Sequence, residues 1–93
     1  MRSAKDRNDL LIYPNPVSDI LYIDSIDKAF EDGKIIITDV LGNKLLTQTL
    51  DKKDNSLIKI DVSSYNNGIY FVSILDSLEN TVKTQKVLIN HNK

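Results

Sequence analysis

Side chains suited to chemistry are few in this chain, and they are scattered. His91 is the single histidine. It stands near the last residue, where chains usually fray, so 91–93 reads as a solvated tail and His91 as neither base nor ligand. There is no cysteine, which removes thiol catalysis, thiolate metal sites and disulfide scaffolds. Without a second histidine, zinc would need carboxylates at unusual spacing. Asp51 and Asp54 flank two lysines in a polar turn, but a calcium loop needs more oxygen ligands in ordered spacing, and a solvated loop is the reading. Asp39 precedes a Gly-Asn turn and suits capping of backbone N–H groups. The serines lie in loops with no base to pair with, and there is no phosphate loop, dinucleotide glycine pattern or glycosylation sequon. These residues predict no enzyme, no metal and no cofactor.

Length and composition bound the chain to one small domain. At 93 residues it is near the roughly 100 of one immunoglobulin-like sandwich. With 41% hydrophobic residues it can bury a core. The net charge of −1 supplies no basic face, which argues against nucleic acid as a partner. No apolar run approaches a membrane span. "MRSAKDRND" lacks the apolar centre of a signal peptide. Residues 1–9 read as a linker end, or an artificial start, on a domain of 10–90 cut from a longer protein.

The periodicity is that of strands. Leu10–Tyr13 and Ile20–Ile23 are apolar runs, and "KIIITDV" puts Ile35 and Ile37 on one face against Ile36 and Thr38. Gly42-Asn43, both suited to positive φ, makes Lys34–Val40 and Lys44–Leu50 a hairpin. "SLIKIDV" alternates Ile58, Ile60 and Val62 against Lys59 and Asp61, and "GIYFVSIL" alternates Tyr70, Val72 and Ile74 against Ile69, Phe71 and Ser73. "TVKTQKVLI" follows the turn signal Asp76–Asn80, and its apolar parity shifts between Val82 and Val87, as at a bulge or an edge. "DSIDKAFEDG", with Asp27 as a potential cap, could form a helical turn but reads better as a loop. Seven short strands with frequent turns predict an all-β, immunoglobulin-like antiparallel sandwich. Ile35, Ile37, Ile58, Ile60, Val62, Tyr70, Val72 and Ile74 are its expected core.

Two details punctuate this pattern. Pro14 and Pro16 cannot donate to a ladder, and they push Tyr13 and Asn15 out of the helical region. Asn15 can also bond its own backbone as a turn does, so Pro14-Asn15-Pro16 is a rigid corner between two strands. Further on, Tyr65 or Tyr70 could serve as a tyrosine corner, its hydroxyl bonded back to upstream backbone. Either could equally be a packed aromatic with a satisfied hydroxyl.

The ordered motifs "YPNPVSDILYI", "IIITDVLGNKLL", "IDVSSYNNGIYFVSI" and "TQKVLI" resemble the type A C-terminal sorting domain of type IX secretion cargo, a family of Bacteroidota. The resemblance spans about Leu10 to Asn90. It implies a domain at the end of cargo already moved to the periplasm. An outer-membrane translocon and its shuttle components would recognise the domain. A sortase-like peptidase would then remove it at the cell surface, leaving the cargo there or secreted, with the option of attachment to anionic lipopolysaccharide. By position, Pro14, Asn15 and Pro16 match the family's proline corner, and Asp39 and Gly42 its central hairpin. Gly68, Tyr70 and Val72 match "G-x-Y-x-V", and Lys86 with Val87 the basic terminal strand. The tail "INHNK" is slightly longer than in many members.

Two other readings compete. One is an immunoglobulin-like module that binds a carbohydrate or a protein, against which the 6% aromatic content and absent tryptophan weigh. The other is a structural spacer in a surface protein. For the sorting reading, the expected readable element is the edge of the terminal strand Thr81–Ile89, through β-augmentation with Lys86 selecting the partner. An exposed edge also allows a strand-exchanged dimer in isolation.

Overall fold

A computed structural model of the chain describes residues 10–24, 32–50 and 57–91. Seven strands follow in order: β1 Leu11–Tyr13, β2 Ile20–Asp24, β3 Lys34–Asp39, β4 Lys44–Thr49, β5 Leu57–Asp61, β6 Gly68–Leu75 and β7 Thr81–Ile89. They form a three-stranded sheet, β1-β2-β5, and a four-stranded sheet, β4-β3-β6-β7. Every strand pair is antiparallel. The architecture is the expected all-β sandwich. Residues 1–9, Asp27, Asp51, Asp54 and 92–93 lie outside the described residues.

Alternation in sequence becomes burial because successive side chains leave opposite faces of a strand. All eight expected core residues are buried. They are joined by Leu10, Ile12, Val17, Leu21, Ile23, Leu50, Val87 and Ile89. Each such side chain contributes about 1.5–3 kcal/mol when fully removed from water. Among the described residues no polar or charged residue is buried.

The strands depart from ideal ladders at two places. The bulge expected between Val82 and Val87 sits at Val82, since Ile74 faces Lys83 and Leu75 faces Thr81. A second bulge makes Leu45 the extra residue of β4, because Ile37 faces Leu46 and Thr38 faces Lys44. The β3–β4 connection also differs from the expected Gly42-Asn43 turn. It spans Val40 to Asn43, and of the two turn residues only Gly42 takes positive φ, at 86°. The cause is Asp39, whose Oδ1 accepts the N–H groups of Leu41 and Asn43 at 2.9 Å each and so fixes a longer loop.

Candidate functional site

The proline corner does more than separate β1 from β2. Both of its X–Pro peptide bonds are cis, and the segment lies along the outer edge of β7. Lys83 Nζ donates to the Leu10 carbonyl (3.1 Å) and Gln85 Nε2 to that of Ile12 (3.1 Å). Asn15 Nδ2 donates to the Lys86 carbonyl (3.1 Å), while the Leu88 N–H donates to Asn15 Oδ1 (2.9 Å). The Asn15 amide thus stands where a peptide group of a further strand would stand. Next, the Val17 N–H donates to the Leu88 carbonyl and the Asn90 N–H to the Val17 carbonyl, both at 2.9 Å, in a short parallel bridge. Beneath this seam Leu10, Ile12 and Val17 are buried. The terminal strand stands at the sheet edge as expected, but that edge is not free: β7 pairs with β6 from Thr81 to Ile89, and residues 15 and 17 cover its outer side from Lys86 onward.

The two turns of the four-stranded sheet share one design. Asp39 N–H donates to the Asn43 carbonyl and Gly42 N–H to that of Asp39, and Asp39 Oδ1 holds the N–H groups of Leu41 and Asn43. Asp76 repeats this with Asn80, Glu79 and Leu78. The sequences are "DVLGN" and "DSLEN". Glycine suits the positive φ of 86° at position 42, whereas Glu79 adopts 67° despite its side chain and pairs with Lys34 at 2.8 Å. The main-chain and side-chain donors of Asn43 hold the Asp39 carboxyl below the usual carboxylate range. Ser63 does the same for Asp61.

The crossing from β5 to β6 carries the remaining motif residues. Gly68 opens β6 with φ 154°. Of the two candidate tyrosines it is Tyr70 that forms the corner, donating its hydroxyl to the Asn66 carbonyl at 2.6 Å. Tyr65 packs against its ring, centroids 5.6 Å apart. Val72 and Val87 are buried core residues, and Lys86 is exposed on β7 opposite Phe71. His91 departs from the expected solvated tail. Its N–H donates to Asn67 Oδ1 (2.9 Å), its Nε2 lies 2.6 Å from the Tyr65 carbonyl, and its Nδ1 is 3.9 Å from Asp19. It pins the end of β7 to the β5–β6 crossing. Apart from Val72, which lies in the core opposite Ile37, the motif residues therefore gather in two places, the seam (14–16, 86, 87) and the end holding 39, 42, 68 and 70. Among the described residues no three His, Cys, Asp or Glu side chains converge.

Residues 11–90 match the family described as secretion system C-terminal sorting domain. The chain belongs to that family. Its sorting domain is a C-terminal secretion signal of the type IX system. Among curated proteins none matches the chain. Among solved structures, PorZ, an essential bacterial surface component of the type IX secretion system of Porphyromonas gingivalis, shares the fold with a TM-score of 0.72 at 19% identity. The likeness covers 95% of this chain but 12% of that protein, so the chain spans about an eighth of its length.

Proposed function

We propose that the sorting domain works as a folded passport. It directs cargo attached on its N-terminal side from the periplasm through the outer-membrane translocon, contacts the shuttle and sortase components there, and is then cut away at the cell surface. The domain itself performs no chemistry. Family membership over residues 11–90 carries this reading. The seam supports its folded form: residues 10–17 and β7 hold each other, so the signal is a shape and not a linear tail. Strand addition along β7 beyond Lys86, or exchange of β7 between two copies, would require Asn15 and Val17 to leave that edge.

The test is a fluorescent reporter carrying an N-terminal secretory signal and Leu10–Lys93, expressed in a type IX-competent bacterium. The intact fusion should reach the surface and lose the domain, and deletion of Val82–Lys93 should leave it in the periplasm. Export of the truncated fusion at the intact level would sink the proposal.

A further inference from the structure

An open pocket of about 330 Å³ lies at one end of the sandwich, lined by Asp39, Leu45, Ser64, Tyr65, Asn66 and Tyr70. It lies between the β3–β4 turn and the crossing into β6. Its volume is at the small end for ligand sites, enough for one long side chain. The walls are of two kinds. Leu45, pushed out by its bulge, is 44% exposed, and the rings of Tyr65 and Tyr70 meet at 43°; together they offer apolar and aromatic surface. Asp39 supplies the charge. Among the described residues its Oδ1 accepts the Leu41 and Asn43 N–H groups, whereas Oδ2 accepts Asn43 Nδ2 at 3.1 Å and keeps capacity for a further donor. The turn that binds this carboxylate also keeps it ionised. None of the six lining residues is cationic.

Aromatic faces beside a carboxylate with a spare acceptor site and no cation of its own are complementary to a positive charge. Between the two basic side chains the pocket favours arginine. Its planar guanidinium is weakly hydrated, stacks on rings and donates in a fork, whereas an ammonium is compact and strongly hydrated. We propose that this pocket is a recognition subsite for an arginine side chain presented by a partner polypeptide, with the guanidinium between the Tyr65 ring and Asp39 Oδ2 and its methylene stem over Leu45. The subsite does not depend on the export route, so a binding measurement tests it separately from secretion.

The experiment is an amide NMR titration of the whole chain with N-acetyl-arginine amide, alongside its neutral citrulline and its lysine counterparts. The arginine compound should shift the signals of Asn43, Leu45, Tyr65 and Asn66 saturably, with a midpoint on the order of millimolar for so small a probe. The citrulline compound should bind at least about tenfold more weakly. Asp39→Asn keeps an acceptor for the Leu41 and Asn43 N–H groups while removing the charge, and should weaken arginine by about tenfold as well. Tyr65→Leu, which retains bulk, should weaken it should Asp39→Asn disturb the spectrum of the fold. No saturable shift with arginine, or equal binding of citrulline, overturns the proposal. So does full affinity in both variants, and equal binding of the lysine compound overturns the guanidinium assignment.

Discussion

Along β7 the outer edge of the four-stranded sheet is covered by the chain's own residues 10–17, whose buried Leu10, Ile12 and Val17 sit under a row of hydrogen bonds. Along β4, on the opposite edge of the same sheet, no described residue bonds to the outer side and Leu45 stays 44% exposed, while Val40 and Leu41 in the turn leading into it stay 64% and 82% exposed. Edge strands invite pairing with other chains, and proteins blunt them with short strands, bulges and lysines. β4 has those modest defences in its six residues, its bulge at Leu45 and Lys44. β7 has a dedicated cover. The difference teaches that, among the described residues, bonding is concentrated along the seam with β7, while none of them covers the β4 edge or the pocket beside it.

The sharpest way to break the comparison is to empty the space under the covered edge. Val17→Ala should cost about 1–3 kcal/mol in urea unfolding, because a buried side chain leaves a cavity, whereas Leu45→Ala on the open edge should stay within roughly 0.5–1 kcal/mol. Comparable losses would mean that the edges are equally supported. Asn15→Ala comes next. It removes two bonds to β7 from an exposed side chain and should cost about 1 kcal/mol, with faster hydrogen exchange of the Leu88 amide than of Val72. Unchanged exchange at Leu88 would show that Val17 alone keeps the edge closed.

Acid should separate the edges more gently. The seam bonds contain no carboxylate, but the turn beside β4 hangs on Asp39, whose carboxyl is held low by its Asn43 donors. A depressed folded-state value means that the stabilisation is present above the unfolded value of 3.8 and is lost as pH falls through the lower folded one. Exchange of the Asn43 amide should therefore accelerate below about pH 4, beyond the intrinsic trend, before that of Leu88 does. Asp39→Asn should abolish this pH dependence, and its persistence would point to another carboxylate. The smallest effect is expected at Leu41→Ser, within about 0.5 kcal/mol by thermal unfolding, since that side chain touches little.

Much of the fold could be read from local pattern. Ile35 and Ile37, Ile58 and Ile60, and Val72 and Ile74 announce their strands by alternation, and burial follows parity. Leu10, Val17 and Leu50 could not be read this way, since each lies outside a strand and is buried by what folds over it. The corner was legible as a corner, but not its purpose. The bonds from Asn15 to Lys86 and Leu88 join residues more than seventy positions apart, and a side chain bonded to distant backbone leaves no local trace. His91 escaped for the same reason. The shared turn was missed although its signal was present: "DVLGN" and "DSLEN" repeat Asp, Leu and Asn at equal spacing. The glycine is not the shared element, because the aspartate does most of the fixing in both turns.

The seam also has a direction. Leu10 meets Lys83, Ile12 meets Gln85, Asn15 meets Lys86 and Leu88, and Val17 meets Leu88 and Asn90, so both segments advance the same way. A tug on the chain ahead of Leu10, resisted at the far end beyond Asn90, slides the two segments past each other. All the bonds are then loaded together, instead of parting one after another as in an unzipping pair. A pull on the N-terminal side against a held C-terminus thus loads the seam in shear. Stretching single molecules between their two ends should give a sharp rupture whose force drops in Asn15→Ala.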